Sequence, residues 1–166
     1  MTFADLVAGD AVFVDANILT YHFQPHPVWG PPCSDLLRRI ENQELVGFTS
    51  TAALSEVSHR LMTIQAITLF GRPSANIGNW LRTHPAEVQR LTAFRQAIER
   101  LLQGNLRVLT IAPTLLATAV ALCQQVGLLT NDGLIVAVMQ ANGLSKLASS
   151  DVDFDRVPGI TRYAPA

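Results

Sequence analysis

Apolar positions in this chain fall into short continuous runs and longer helical stripes, and their alternation sets the expected architecture. Ala11-Val-Phe-Val14 is a short apolar run that reads as a buried strand. Gln24-Pro-His-Pro, followed by Gly30-Pro-Pro, reads as a loop. Ser34 can cap a helix running to about Glu44, with Leu36, Leu37 and Ile40 on one face. Val46-Gly-Phe-Thr is the second expected strand. Thr49 or Ser50 then caps a helix through about Ile67, whose apolar face carries Ala53, Leu54, Val57, Leu61 and Ile64. Phe70-Gly-Arg-Pro ends it. Residues 75–104 read as an added helical element: Pro85 suits a first turn, and Val88, Leu91, Phe94, Ile98, Leu101 and Leu102 form a stripe that Gly104-Asn105 stops. Arg107-Val-Leu-Thr-Ile is the third strand, Pro113 to Gly127 a helix, Thr130 the cap of another helix to about Gly143, and Lys146-Leu-Ala-Ser the fourth strand. This order predicts one α/β domain over residues 1–166: a mostly parallel sheet of about four to five strands, helices on both faces, and a helical insertion near 75–104.

Composition narrows the picture. Apolar residues make up 49% of the chain and charged residues 15%, with a mean hydropathy of +0.26. The charged share lies below the usual level of about 25%. The excess is read equally well as surface to be covered by a partner or second copy, and as a large core under a sparsely charged surface. The net charge of −1 gives no global basic field. Eleven of the twelve basic residues are arginine, with Lys146 alone, so local phosphate recognition stays open. Cys33 and Cys123 fit neither a metal spacing nor a disulfide framework. The N-terminus lacks a signal-like pattern, and the longest mostly apolar stretch, Leu115 to Cys123, is too short to span a bilayer. A cytoplasmic protein without a membrane segment is expected.

Four carboxylates stand at the edges of apolar elements: Asp15 after the first strand, Glu56 and Asp132 early in helices, and Asp151 after the fourth strand. Each alone has an ordinary role as a cap, a first-turn acid or a solvated turn residue. Ligands in parallel sheets bind outside the carboxyl ends of the strands, and there these acids can converge. Converged acids repel one another, which favours a divalent cation. Hard oxygen ligands suit Mg²⁺ or Mn²⁺, ions that activate water for phosphodiester cleavage. Asn17, two residues after Asp15, can orient it. His22, His26, His59 and His84 form no ligand pair, and neither cysteine has an adjacent base.

The segments Val-Phe-Val-Asp-Ala-Asn-Ile-Leu, Thr-Ser-Thr-Ala-Ala-Leu-Ser-Glu-Val, Leu-Thr-Asn-Asp-Gly-Leu-Ile-Val-Ala and Leu-Ala-Ser-Ser-Asp-Val-Asp-Phe-Asp, in that order, resemble a PIN domain. More narrowly they are similar to the VapC-type toxin ribonucleases of bacterial toxin–antitoxin pairs. The resemblance covers residues 11–70 and 106–162. It implies an acidic quartet of Asp15, Glu56, Asp132 and Asp151 around Mg²⁺ or Mn²⁺, with Asp153 helping a second ion and Asn17 and Ser149 in support. It also implies endonucleolytic RNA cutting that leaves a 5′-phosphate, and a protein antitoxin; the low charged fraction and high apolar content lead to the expectation of a homodimer that binds a short antitoxin tail. Gly133 departs from the commoner Ala and Ser149 from the commoner Thr. Arg38, Arg39, Arg60 and Arg72, around Glu56, are candidates for gripping RNA. Arg82, Arg90, Arg95 and Arg100 offer a second basic face. Two other functions compete: a non-catalytic RNA- or protein-binding PIN module, and a haloacid-dehalogenase-type phosphatase. The phosphatase reading suffers because Asn17 stands where a second Asp is wanted.

Overall fold

Strand β1 (Ala11–Val14) divides the molecule into two layers. Its side chains alternate, so Val12 and Val14 enter one core and Phe13 the other. The structure is a computed structural model describing residues 1–24 and 26–166. Pro25, within the expected Pro-rich loop, lies outside the described residues.

Beside β1 stand β2 (Val46–Ser50), β3 (Arg107–Leu109), β4 (Lys146–Ala148) and β5 (Thr161–Tyr163), in the order β3-β2-β1-β4-β5. Every pairing is parallel, with Phe13 opposite Phe48 on one side and Leu147 on the other. On the Val12/Val14 face lie α1 (Ala16–Phe23), α2 (Gly30–Glu41), α3 (Thr51–Phe70) and α6 (Ala93–Gln103). On the Phe13 face lie α7 (Pro113–Leu122) and α8 (Thr130–Ala141). The chain thus works outward from β1 to β3, then crosses to β4 on β1's other side. That reversal between β1 and β4 is the topological switch point, where open parallel sheets form their crevice.

Gly47 shows how tightly the layers meet. A Cβ there would lie 2.7 Å from Ile40 Cδ1 and 2.9 Å from Leu106 Cδ1, so only glycine admits α2 this close to β2. Gly71, at φ 60°, ends α3 in the left-handed conformation that glycine accepts without strain.

Several boundaries differ from the sequence expectation. Gly30-Pro31-Pro32 is not loop but the first turn of α2, where a proline's missing N–H has no partner to lose. Helix α2 ends at Glu41 rather than Glu44, and α3 runs on to Phe70. Thr130 is the first residue of α8 rather than its cap; Leu129 holds the cap position without a side-chain bond. The Pro113 helix ends at Leu122 and continues as a π-helical turn, Cys123–Gly127. Strand β5 arises from a three-residue segment too short for pattern reading.

The expected single stripe at 75–104 is three helices: α4 (Ile77–Thr83), α5 (Pro85–Val88) and α6. Leu102 is 61% exposed and leaves the stripe. Ala97 and Leu101 join the main core of the α1–α3 layer, with Phe94 and Ile98 packed against it. Ile77, Leu81 and Leu91 form a separate small cluster with Ala66 at the far end of α3. Among the described residues no single helix is long and apolar enough to cross a membrane.

Candidate metal centre

The carboxyl ends of β1 and β4 are joined beyond their last paired residues. The Asp15 amide donates to the Ala148 carbonyl at 3.0 Å, and the Ser149 amide to the Tyr163 carbonyl at 3.0 Å. Asp15 caps α1, its Oδ1 accepting from the Ala16 amide at 2.6 Å. Its other oxygen looks inward. Oδ2 accepts from Asn17 Nδ2 at 2.6 Å and from Ser149 Oγ at 2.7 Å. Ser149 Oγ in turn accepts from Asn17 Nδ2 at 3.1 Å and from the Asp151 amide at 3.0 Å. Asn17 Oδ1 accepts from the Ser150 amide at 3.3 Å. The network accounts for every buried polar atom of Asp15, Asn17 and Ser149. Asp15 therefore fills its ordinary capping role while being locked to the β4 loop.

Asp15 is 6% exposed. Burial raises its pKa to about 6, opposed by the Ser149 and Ala16 hydrogen bonds and assisted by the charges of Glu56 and Asp132. Asp132, in the first turn of α8, is likewise raised to about 6, by burial and then by Asp151, Asp153 and Glu56. Asp132 thus senses Glu56, Asp151 and Asp153, and Asp15 senses Glu56 and Asp132. The tightest group is Asp132, Asp151 and Asp153, each offering one oxygen with all three atoms within 4.8 Å of one another. Asp15 and Glu56 flank this trio and lie outside it. Asp151 caps the short 3₁₀ turn Val152–Arg156, its Oδ1 accepting from the Asp153 amide at 2.9 Å.

Glu56, Arg60, Asp132 and Asp151 line a cavity of about 470 Å³, with Leu129, Thr130 and Asn131 at its rim. Arg60 pairs with Glu56 at 2.6 Å. Of the four arginines singled out around Glu56, Arg60 alone lines this cavity. Arg39 is engaged elsewhere: it donates to the carbonyls of Phe3 and Leu6 at 2.9 and 2.7 Å and pairs with Glu44. That makes it a clamp on the N-terminal segment, a role its position in a helix did not reveal. Arg38 pairs with Asp35, and Arg72 lies over Trp80 beyond the far end of α3.

Two supporting residues escaped the sequence reading. Arg162 grips Asp155 with two bonds of 2.7 Å and donates to the Ser149 carbonyl at 3.2 Å, holding the acidic loop in place. Asp155 lies in the 3₁₀ turn and Arg162 in β5, so no period of a single element relates the two. Arg156 pairs with Asp153 at 2.5 Å, and there the i, i+3 spacing was a usable signal. Gly133 also gains a reason. A Cβ there would lie 2.6 Å from Cys123 Sγ and 2.8 Å from the Ala119 carbonyl, so α7 sits against α8 at this glycine.

The donor set is all oxygen and all acidic, which fits Mg²⁺ or Mn²⁺ rather than a softer metal. An all-parallel α/β sheet with an acid cluster at its switch point defines a class of site. The PIN domain family model matches residues 12–160, and the chain belongs to that family. Membership sets the phosphatase reading aside. The fold is similar to VapBC2 from Rickettsia felis, solved bound to a promoter DNA fragment (TM-score 0.57, 16% identity, covering 93% of this chain and 98% of that one). It is similar to VapC20 from Mycobacterium tuberculosis, a sarcin–ricin loop cleaving toxin (0.58, 17%, 87% and 92%). It also resembles a toxin–antitoxin complex from Klebsiella pneumoniae (0.52, 20%, 90% and 95%). At these identities the likeness is one of fold. No curated protein matches the sequence significantly.

Proposed function

We propose that this chain is a divalent-metal-dependent endoribonuclease and the toxin of a toxin–antitoxin pair. The observation that carries the reading is the convergence of Asp132, Asp151 and Asp153, with Asp132, Asp151 and Glu56 lining one open cavity and the buried Asp15 close enough to Asp132 and Glu56 to sense their charge. Arg60 and Arg156 offset only part of this negative charge, and the remaining repulsion is a cost that a module which only binds has no need to carry, which disfavours the non-catalytic alternative.

Asp132, Asp151 and Asp153 would hold the cation, with Asp15 and Glu56 beside it. Asp15 Oδ2 already accepts two hydrogen bonds and Oδ1 only one, so Oδ1 is the oxygen with capacity to spare. When bound, the cation supplies neutralisation of the developing phosphate charge and acidification of water. Asn17 and Ser149 hold the Asp15 carboxylate still. Arg60, on the cavity wall, offers its guanidinium to an RNA phosphate.

Partners follow from the surface and the relatives. Leu116, Val120 and Leu129 are exposed on the side of α7 and α8. No Asp, Glu, Lys, Arg or His occurs between Arg107 and Asp132. A face of this kind suits burial against a second copy or an antitoxin. Two of the structural relatives were solved as toxin–antitoxin assemblies. The setting is cytoplasmic, where RNA and a co-made antitoxin are both available.

The test is RNA cleavage by purified protein with Mg²⁺ or Mn²⁺, with excess chelator, and with Asp132→Asn. Cleavage is expected only for the wild type with metal. Wild-type rates in excess chelator would overturn the metal assignment.

A further inference from the structure

Helix α3 connects the acidic cavity to a second kind of surface. Glu56, Arg60, Thr63, Ile67 and Phe70 follow one another at spacings of three and four, and so share one stripe of the helix. Glu56 and Arg60 stand at the cavity. Phe70, fourteen residues on, lies about 21 Å away along the axis.

There aromatic rings and arginines interleave. Phe70 and Trp80 meet with ring centroids 5.4 Å apart, and Trp80 stacks on His84 at 4.3 Å and 21°. The Arg72 guanidinium lies 5.0 Å from the Trp80 ring centroid and that of Arg90 5.1 Å from Phe70. His84 is held in its stack by donating from Nδ1 to the Trp80 carbonyl at 2.7 Å. Arg72, His84 and Arg90 are exposed, while Phe70 and Trp80 are half-buried over the small cluster of Ile77, Leu81 and Leu91. A cleft of about 200 Å³ opens between Arg72, Pro73, Asn76 and Trp80. Segment 71–104 carries five arginines against two glutamates, in a chain whose net charge is −1. Arg72 and Arg90 thus stand at the end of α3 opposite the acidic cavity.

The geometry points to a base-stacking site for single-stranded RNA at the far end of α3, in which the exposed Arg72 guanidinium, 5.0 Å from the Trp80 ring centroid, swings outward and a nucleobase takes its place against the indole, with Arg72 then meeting the backbone. The inference rests on the ribonuclease reading for its choice of ligand. A basic edge set with ring faces is what single strands require: arginine meets the backbone, and an aromatic face accepts any base. A folded core gains little from exposed arginines set over half-buried rings, since solvent screens those contacts. The stripe through Arg60 gives the strand a path from this site to the cavity, so the platform would position the RNA upstream or downstream of the cut without touching the reacting phosphate.

Binding of a fluorescein-labelled single-stranded oligouridylate, about twelve nucleotides long, is measured by anisotropy in excess chelator so that no cleavage intervenes. Trp80→Ala is expected to weaken binding by about 5- to 100-fold, and Trp80→Phe to retain most of it. Arg72→Ala should weaken binding several-fold and flatten the salt dependence by about 0.7 in log–log slope, the value for one phosphate contact on a single strand. In a Trp29→Phe background, saturating RNA should quench Trp80 emission. Because Arg72 and His84 are exposed, Arg72→Ala and His84→Ala keep the test open even where Trp80→Ala does not fold. Wild-type affinity and salt slope in these variants, or Trp80 emission indifferent to RNA, would overturn the site. So would unchanged RNA affinity together with loss of the complex with the co-encoded antitoxin, which would make the patch a peptide surface. Metal-dependent cleavage is followed separately in wild type and Asp132→Asn. RNA held by the platform but never cut would sink the ribonuclease reading alone; cutting with no effect of the Trp80 and Arg72 changes would sink the platform alone.

Discussion

The two edges of the sheet use the same residue types to opposite ends. At the amino edge the less exposed charges are paired with opposite ones. Asp10 pairs with Lys146, and Arg39 satisfies Glu44 and two backbone carbonyls. The Lys146 hydrogen bond holds the Asp10 carboxyl below its usual range. At the carboxyl edge Asp15, Glu56, Asp132, Asp151 and Asp153 face one another, and burial with mutual repulsion lifts Asp15 and Asp132 to about 6. The amino edge is built for stability. The carboxyl edge keeps acids close together at a cost in stability, a cost that the proposed cation would offset.

The sharpest way to break this contrast is to neutralise one acid at each edge. Asp132→Asn should lower metal-dependent RNA cleavage by about 100-fold or more, while the melting temperature in chelator holds or rises. Asp15→Asn should lose as much activity, but it disturbs the hydrogen bonds to Asn17 and Ser149 and is the poorer stability probe. Asp10→Asn should leave cleavage per folded molecule unchanged. Equal loss of activity at both edges would erase the distinction.

The reverse experiment is Arg39→Ala. Removing a mostly buried guanidinium strands the Phe3 and Leu6 carbonyls and Glu44, and should cost about 2–3 kcal/mol in denaturant unfolding. Cleavage normalised to folded protein should not change. A smaller cost, on the order of 1–2 kcal/mol, is expected for Gly133→Ala, whose added methyl meets Cys123 Sγ and the Ala119 carbonyl. Because Asp132 is its neighbour, this variant should also lower cleavage. Unaltered stability would mean that α7 yields easily.

Proton linkage separates the edges most finely. Asp15 and Asp132 bind protons more tightly folded than unfolded, with pKa values near 6 against 3.8. Their contribution makes the chelated protein lose stability as pH rises from about 4 to about 6, on the order of 2 kcal/mol or less after solvent screening. Asp10, with a lowered pKa, contributes the other way: its stabilisation is present above 3.8 and lost as pH falls through its folded value. Added Mg²⁺ should favour the charged acids and remove the carboxyl-edge decline. Melting curves from pH 4 to 8, with chelator and with Mg²⁺, read this directly. A decline of the same size in Asp132→Asn would place its origin elsewhere.

How much of this was legible beforehand depended on range. Runs such as Ala11–Val14 and the stripe Ala53, Leu54, Val57 and Leu61 are local signals of burial, and they located four strands and the principal helices correctly. The order of the acid-bearing segments identified the family. Three-residue β5 was invisible because it holds too few positions for a period and because Arg162 interrupts it. The stripe at 85–102 misled because residues on α5 and α6 keep helical spacing across the break at Gln89–Thr92. Arg39 and Arg162 were misread or missed for one reason: their partners are set by tertiary neighbours. The convergence of Asp15 with Ser149 could be expected only through the topology of a parallel sheet.

That last pairing also governs when the site comes into being. Asp15 and Ser149 are separated by 134 positions, and the Asp132–Asp151–Asp153 trio lies wholly in the final quarter of the chain. At ribosomal rates of roughly 5–20 residues per second, Asp15 emerges about 7 to 27 seconds before Ser149 does. Until β4 inserts beside β1, the nascent polypeptide holds β1 and β2 but neither the hydroxyl that fixes Asp15 nor the acids that face it. On the ribonuclease reading proposed above, a chain assembled in this way would be unable to cut RNA throughout most of its own translation, sparing the ribosome and message that are making it.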